Sequence, residues 1–309
     1  MKKLFVVCMV LAIASCALAQ ENNRIHITHM YGMDPLAGAP ASTITYNGGP
    51  ILNAGNTSIY IIYYGTFTPL DTKIINFWAQ NIGSSALYAT NQTYFDGSFV
   101  HIPAGLAPFN ATTNTFNDNY SFGKNITDAQ TQAVVTNAIN GGHLPNDQNG
   151  IYFVITAQDV KQTSPFGGFC TVYCGYHGPS TTIQAGEVIK YSFVGNAATQ
   201  CPLGCIGNAA VFGDTTSPNN DLGADGLVSV MFHELSETMT DPEVNLQTAW
   251  AGSCGENGDC CNFVYGPTKI VHNGSHANVK VGGRAFLLQE MFKLTQEKLP
   301  TSQGVCAQN

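Results

Sequence analysis

The placement of the cysteine residues limits what this chain of 309 residues can fold into. Eight of the ten cysteines lie after residue 165. They are Cys170, Cys174, Cys201, Cys205, Cys254, Cys260, Cys261 and Cys306. An even number of cysteines in an exported chain is typical of disulfide bridges, and the sequence leaves their pairing open. We therefore predict that the first half folds by packing alone, and that the second half is loop-rich and stapled by disulfides.

Residues 1–19 predict export from the cell. Two lysines precede an apolar run over residues 4–14, and the small residues 17–19 form a cleavage site before Gln20. No later apolar run is long enough to span a membrane. We predict a signal peptide over residues 1–19 and a mature chain secreted to the extracellular space or cell wall. An alternative is a bacterial lipoprotein signal, because I-A-S-C at residues 13–16 would place a lipid on Cys16.

The composition excludes one class of partner and favours another. Only 10% of the residues are charged and the net charge is −8, so no basic patch is present to neutralise phosphates and we exclude a nucleic-acid partner. We expect an extracellular peptide, protein or glycan instead. Six N-x-S/T sequons predict a glycoprotein in a host that glycosylates. Four of them, from Asn91 to Asn125, predict a surface loop.

Two continuous apolar runs predict buried strands of an α/β fold. They are I-Y-I-I-Y-Y at residues 59–64 and I-Y-F-V-I-T at residues 151–156. A helix is predicted from Thr68 to about Ile82, and a capping box at residues 127–130 begins another. Alternation over residues 187–194 predicts a half-exposed edge strand. Residues 20–42 show no periodicity and predict an irregular arm, and residues 43–309 predict one domain with a mixed sheet.

The segment at residues 225–242 contains the strongest candidates for functional side chains. Apolar residues at spacings of three and four predict a helix with one buried face, capped by Asp225 and stopped by Pro242. His233 and Glu237 are four residues apart, so they lie on one face of that helix. The resulting H-E-x-x-E resembles the zinc-peptidase motif H-E-x-x-H, with a glutamate in place of the second histidine.

This motif predicts a metal site. His233 and Glu237 would bind the ion, Glu256 would be the third ligand, and Asp259 its neighbour or substitute. Glu234 would be the catalytic general base that activates water. Zinc is the expected cofactor, with calcium or manganese as alternatives because the site is rich in oxygen ligands.

An alternative interpretation of the same segment is an ordinary amphipathic helix with a solvated acidic edge. The apolar residues around His233 argue against it, because an unpaired imidazole is costly in such surroundings. His177 could be a further ligand or make only local hydrogen bonds. Asp241 could ligate or cap backbone N–H groups. The order of strands and helices resembles the zincin layout, in which the active helix packs beneath a sheet with an edge strand at the substrate cleft.

Several phrases of the sequence, in order, resemble the EXORDIUM family of secreted plant proteins, also called phosphate-induced proteins. They are Y-N-G-G-P-I-L at Tyr46, I-Y-Y-G at Ile62, T-D-A-Q at Thr127, L-P-N-D-Q-N-G-I-Y-F-V-I-T at Leu144, G-F-C-T-V-Y-C-G-Y-H-G at Gly168, F-V-G-N at Phe193, C-P-L-G-C at Cys201, G-A-D-G at Gly223 and G-R-A-F-L-L at Gly283. The resemblance extends from about residue 43 to the C-terminus.

This resemblance implies an extracellular protein of the cell-wall space, associated in plants with brassinosteroid-responsive growth and cell expansion, and it implies no established catalytic activity. The plant pattern has an apolar, Ala- and Leu-rich stretch followed by T-N-P where this chain has His233, Glu234, Glu237 and Asp241. Two hypotheses follow. The chain is a metal-dependent, peptidase-like hydrolase, or it is a non-enzymatic growth or cell-wall-binding protein.

Overall fold

The computed structural model describes residues 25–33 and 43–308. The predicted signal peptide lies outside the described residues. The strands are β1 (His26–His29), β2 (Thr43–Tyr46), β3 (Ser58–Tyr64), β4 (Thr115–Asp118), β5 (Asn125–Thr127), β6 (Gly150–Thr156), β7 (Lys161–Ser164), β8 (Gly167–Gly168), β9 (Tyr173–Ser180), β10 (Ile189–Gly195), β11 (Trp250–Ala251), β12 (Lys269–Ile270), β13 (His276–Ala277), β14 (Val279–Val281), β15 (Arg284–Phe286), β16 (Met291–Leu294) and β17 (Thr301–Ala307). The α-helices are α1 (Pro69–Asn81), α2 (Asp128–Asn140), α3 (Pro202–Cys205), α4 (Gly207–Ala210) and α5 (Leu222–Thr240). Short 3-10 helices cover Ile82–Ser84, Tyr88–Thr93 and Asp259–Cys261.

The main sheet has six strands in the order β1-β9-β10-β6-β3-β4. Strands β10, β6, β3 and β4 run parallel to one another, whereas β9 is antiparallel to both β10 and β1. The two predicted buried strands are confirmed as β3 and β6, which pair with each other. Continuous apolar runs suit this position because helices cover both faces of the sheet. The prediction of an α/β fold with a mixed sheet is confirmed, and several smaller sheets accompany the main one.

Helices α1 and α2 begin where the sequence predicts them, and each begins with a capping box, of which the one at residues 127–130 is the predicted one. At the start of α1, the Thr68 hydroxyl accepts from the Asp71 backbone N–H, and the Asp71 carboxylate accepts from the Thr68 N–H. Thr127 and Gln130 make the same reciprocal pair at α2. Each box satisfies backbone donors that have no partner within the helix. The sequence therefore fixes the start of both helices to within a residue.

The prediction of an edge strand at residues 187–194 is wrong. Strand β10 lies between β9 and β6, and all of its residues are buried. Its alternation arises from polar side chains that lie inside the protein. Lys190 is buried and donates through Nζ to the Gln148 carbonyl at 2.8 Å. Buried polar residues with hydrogen-bond partners therefore produce the same polar–apolar alternation in the sequence as residues that face solvent.

Strand β1 occupies the edge of the sheet instead, within the segment predicted to be an irregular arm. It is four residues long and pairs antiparallel with β9. The prediction of irregular structure is wrong at residues 26–29, and the rest of the arm is described only in part. Periodicity fails here because the strand is short and its inward residues, His26 and Thr28, are polar.

Helix α5 begins one turn before the predicted start. Asp221, not Asp225, is the N-cap and accepts from the Ala224 N–H at 3.0 Å. Asp225 instead accepts from the backbone and side chain of Asn219. The prediction of one buried face is also wrong, because every residue from 223 to 240 is buried. Helix α1 and the main sheet pack against α5, and Gln289 and Asp259 of the C-terminal part contact His233 and Glu237.

All eight late cysteines form bridges, which confirms the predicted disulfides of the C-terminal half. The pairs are Cys170–Cys201, Cys174–Cys205, Cys254–Cys260 and Cys261–Cys306. The first two tie β9 and the turn before it to the segment around α3. The last two fix the loop at residues 254–261, the second of them to β17, which belongs to a separate sheet of order β11-β2-β17-β16.

One sequon contradicts the predicted surface loop. Asn91 is fully buried, and its amide donates to the Ser236 hydroxyl at 3.3 Å. Asn110, Asn119 and Asn125 are exposed, so the prediction of a surface position holds for them alone. Asn91 is withdrawn from solvent because it packs against α5.

Among residues 25–33 and 43–308, none of the helices combines the length and the apolar character that a membrane span needs.

Candidate metal centre

Helix α5 presents three ionisable side chains to one region of the interior. His233 and Glu237 lie one turn apart, and His233 Nε2 is 2.9 Å from Glu237 Oε1. The Gln289 amide lies against the other ring nitrogen, with its Nε2 3.1 Å and its Oε1 3.4 Å from His233 Nδ1. This contact leaves Nε2 directed toward the carboxylates, as outer partners of metal-binding histidines commonly do.

The main sheet supplies two more imidazoles. His26 of β1 is directly opposite His177 of β9, and residues paired in this way project from the same face of a sheet. The two ring centroids are 6.0 Å apart. His177 Nδ1 lies 3.2 Å from Glu234 Oε2 and 3.4 Å from Glu237 Oε2. The hydroxyl of Thr28, also on β1, donates to Glu234 Oε1.

A disulfide-bounded loop completes the region with two carboxylates. The Cys254–Cys260 bridge encloses Glu256 and Asp259. Asp259 Oδ1 is 3.6 Å from His233 Nε2, its Oδ2 contacts His26 Nε2, and its backbone N–H donates to Glu237 Oε1 at 3.1 Å. Glu256 Oε2 is 3.4 Å from His177 Nε2.

We name this group the α5 cluster. Its members are His26, His177, His233, Glu234, Glu237, Asp241, Glu256 and Asp259. Ligand atoms of three sets within it lie within 4.8 Å of one another. The sets are His233 with Glu237 and Asp259, His26 with Glu237 and Glu256, and His177 with Glu234 and Glu237.

The four site residues predicted from the sequence all lie in the α5 cluster, in a different grouping from the expected one. Asp259, not Glu256, is the loop carboxylate grouped with His233, whereas Glu256 is grouped with Glu237 and His26. Asp241 accepts from the Ala249 N–H at 2.9 Å through one oxygen, as the capping alternative expects. Sequence reasoning missed His26, which stands in an aperiodic segment 233 residues away from its partner Asp259.

The cluster is buried but not satisfied. Glu234, Glu237, Asp241 and His177 are fully buried, and His233 and Glu256 are 1% exposed. Several of their polar atoms have no aligned hydrogen-bond partner within the described residues. These atoms are His177 Nε2, His233 Nε2, Glu237 Oε2, Asp241 Oδ2, Asp259 Oδ1 and both carboxylate oxygens of Glu256. Each such atom costs about 1–3 kcal/mol, or more when charged, and a bound ion or an ordered water is the usual explanation for a concentration of them.

The pKa values show how strongly these groups interact. Burial alone would lower the histidine pKa values, but the carboxylates outweigh it and raise that of His26 to about 9 and that of His177 to about 10. Burial would raise the pKa of Glu237, yet the charge of His233 holds it at about 2. Burial, with the charges of Asp241 and Glu237, raises the pKa of Glu256 well above its ordinary value. Bound protons therefore occupy the place that a cation could take.

The space beside the α5 cluster is small. A cavity of about 10 Å³ touches His233, Thr28 and Gln289, which is room for about one water molecule. Clefts of 500 to 650 Å³ occur elsewhere on the surface and are lined by other residues. The cluster is thus closed in this conformation of the protein.

Comparison with known proteins decides the family. The phosphate-induced protein 1 conserved region matches residues 44–299. The chain belongs to this family. Protein EXORDIUM-like 3 of Arabidopsis thaliana is 30% identical over 277 residues, covering 81% of this chain and 80% of the relative. Protein EXORDIUM of the same plant is 25% identical, with 84% and 88% coverage, and PHOSPHATE-INDUCED 1 of Nicotiana tabacum is 29% identical, with 64% and 65%. No solved structure matches the fold.

The EXORDIUM resemblance predicted from the ordered phrases is therefore confirmed, and the α5 cluster lies within the matched region apart from His26. Its donor set fits a divalent cation, because imidazole and carboxylate are the side chains that zinc and manganese take. Gly258 leaves space beside Glu237 and His233, because it has no side chain. A Cβ on Gly258 would lie 2.9 Å from Glu237 Oε1 and 2.9 Å from the His233 ring.

Proposed function

We propose that this EXORDIUM-family protein binds a divalent cation in the α5 cluster. His233 and Glu237 are the central ligands, and the third comes from the disulfide-bounded loop, where Asp259 is grouped with His233 and Glu237, and Glu256 is grouped with Glu237 and His26. The observation that carries this proposal is the set of buried imidazole and carboxylate atoms that face one another without aligned hydrogen bonds.

Zinc is the preferred ion. Calcium takes oxygen ligands almost exclusively, so three imidazoles in one cluster argue against it. Zinc and manganese both accept mixed nitrogen and oxygen ligands. The second contact of His233 supports the same choice, because the Gln289 amide fixes the ring with Nε2 toward Glu237. Manganese remains the alternative on ligand type.

We further propose that the activity is metal-dependent hydrolysis of a peptide substrate. A bound divalent cation supplies Lewis acidity and lowers the pKa of water. Glu234 would be the general base, since burial raises its pKa toward the range such a group needs. Thr28 and His177 each hold one of its oxygens and so orient it. Helix α5 beneath the sheet, with β1 at the edge, supports the proposed zincin-like layout.

We propose that the protein acts outside the cell, in the extracellular space or cell wall, on a peptide, protein or glycan. The predicted signal peptide and the four disulfides support this location, because such bridges persist in oxidising compartments. The relatives are named for EXORDIUM and for phosphate induction, and those names state no reaction.

A second candidate is a non-enzymatic extracellular protein in which the cation is structural. The closed state of the cluster favours it, because Glu234 and Glu237 are fully buried and the adjoining cavity has a volume of about 10 Å³. A cation there would join α5, β1 and the loop at residues 256–259, and it would stabilise the fold as structural zinc does in other proteins.

Elemental analysis of the purified secreted protein tests the proposal. Wild type should retain zinc or manganese, and His233→Ala and Glu237→Gln should lose it. His276→Ala is the matched control, because that histidine pairs with Asp214 outside the cluster. A wild type that neither retains nor takes up a divalent ion would contradict the proposal.

A peptide-cleavage assay then separates the two candidates. Glu234→Gln should keep its metal and lose hydrolysis if the protein is an enzyme. A metal-loaded wild type that cleaves no peptide of a mixed library would leave the structural cation as the function of the cluster.

A further inference from the structure

We propose that the α5 cluster holds two divalent cations, bridged by the carboxylates of Glu237 and Asp259. This inference rests on the proposed metal site and adds a second site to it. The first cation lies between His233, Glu237 and Asp259, and the second lies between Glu237, Glu256 and His26.

The two bridging carboxylates each divide their oxygens between different imidazoles. Glu237 Oε1 is 2.9 Å from His233 Nε2, whereas its Oε2 is 3.4 Å from His177 Nδ1. Asp259 directs Oδ1 toward His233 Nε2, at 3.6 Å, and Oδ2 toward His26 Nε2. A carboxylate with one oxygen on each side of a site is suited to bridge two ions.

The atoms without aligned partners also fall on two sides of Glu237. On the first side are His233 Nε2 and Asp259 Oδ1. On the second side are both oxygens of Glu256 and the Nε2 of His177, which lies 3.4 Å from Glu256. One ion at the first side would leave both oxygens of the buried Glu256 carboxyl without an aligned partner among the described residues, which is costly.

The number of donors leads to the same conclusion. The cluster brings three imidazoles and five carboxyl groups together, whereas a zinc ion in a protein usually takes about four ligands. Paired ions about 3.5–4 Å apart occur in hydrolases such as phosphatases and aminopeptidases, where shared ligands hold them at that distance. Zinc and manganese are the ions whose ligand preferences match this mixture of imidazole and carboxylate.

Titration of the metal-depleted full-length secreted protein with Mn²⁺ tests the inference. We expect two equivalents to bind. We also expect the electron paramagnetic resonance spectrum at saturation to show a spin-coupled pair in place of the six-line signal of an isolated ion. Glu256→Gln and His26→Ala should each bind one equivalent and show the isolated signal. His276→Ala, outside the cluster, should still bind two.

The outcomes separate this inference from the proposed function. One equivalent of Mn²⁺ and of Zn²⁺ in wild type, with an isolated signal, would overturn the second site and leave the first. No binding of either ion would overturn both. If Glu256→Gln does not fold, His26→Ala decides the position of the second ion, because the His26 side chain is 26% exposed and its loss is better tolerated.

Discussion

Two clusters of buried polar side chains lie on opposite faces of strand β9. The hydrogen bonds of one cluster are complete, and those of the other are not. On one face, Tyr176 and Tyr191 donate to Asp128 of α2 at 2.8 Å, and Gln132 donates to the same carboxylate at 2.9 Å. Gln162 in turn donates to the Tyr176 hydroxyl at 2.8 Å. We name this group the Asp128 network. On the other face, His177 joins the α5 cluster, in which the ionisable atoms lack aligned partners.

The comparison shows that burial of polar groups does not by itself indicate a functional site. None of the named atoms of the Asp128 network is unsatisfied within the described part of the chain, so this network is complete and its role is to fix α2 on the sheet. The α5 cluster is as deeply buried but incomplete. Incompleteness, rather than burial, is what indicates a bound ligand.

We expect the largest loss of stability from a substitution that disrupts the Asp128 network. Asp128→Ala removes the acceptor of two buried tyrosine hydroxyls, so we expect the free energy of unfolding to fall by about 3–5 kcal/mol. Urea denaturation measures it. The loss should be the same with and without a chelator, and Asp128→Asn should lose less. A loss that appears only in the metal-loaded protein would mean that the two faces are not independent.

Removal of metal should destabilise the protein by a smaller amount. At free metal a hundredfold above Kd, we expect chelation to lower the free energy of unfolding by about 2.7 kcal/mol. Thermal unfolding with and without chelator measures this difference. His233→Ala, which lacks a ligand of the first ion, should show a smaller difference than wild type, and Asp128→Asn should show the full one. An equal response of wild type and His233→Ala to chelator would refute the assignment.

A single methyl group should weaken the site without removing a ligand. In Gly258→Ala the new Cβ would meet Glu237 Oε1 and the His233 ring at 2.9 Å, so we expect about a 10- to 100-fold loss of metal affinity. Competition with a chelating dye gives the Kd. Gly97→Ala is the control, because its Cβ would make only an ordinary contact with Tyr46 at 3.5 Å. Equal affinities of the two variants would exclude crowding at Gly258.

The smallest expected effect is a dependence of stability on pH. It arises at Asp221, which belongs to neither the Asp128 network nor the α5 cluster. Burial, with the neighbouring carboxyl of Asp71, raises the pKa of Asp221 to about 7. The folded state therefore holds a proton that the unfolded state loses above pH ~4, so the contribution of Asp221 to stability is greatest below that pH and falls as pH rises to about 7. We expect a decline of about 1–2 kcal/mol, since solvent screens this partly exposed carboxyl.

Urea denaturation across that pH range, with chelator present, measures the contribution of Asp221. Asp221→Asn keeps an N-cap for α5, and its stability should lack this part of the decline. Identical pH profiles of wild type and variant would show that the pKa of Asp221 is not raised in the folded state.

The sequence predicts the strands, the helix starts and the presence of disulfides better than it predicts the α5 cluster. Residues 59–64 and 151–156 read as buried strands because both faces are apolar, and Thr68 and Thr127 mark their helices through local chemistry. The disulfides follow from the cysteine count, while their pairing required the fold. The strands and the helix starts depend on neighbours within a few residues, so local patterns report them.

The α5 cluster combines local and distant contributions. His233, Glu234 and Glu237 share a helix and are found from their spacing. His26 pairs with Asp259 across most of the chain, and its polar four-residue strand has no apolar pattern to detect. The choice between Glu256 and Asp259 depends on the shape of the disulfide-bounded loop, which spacing does not determine.

The alternation of side chains along β9 has a consequence for how this protein can vary. Tyr176 and His177 are adjacent in the chain and serve opposite faces, so an insertion of one residue before them would exchange their directions. A phenol ring would then meet the acidic residues, and an imidazole would meet the carboxylate of Asp128. We expect lineages of this fold to keep the number of residues within β9 constant.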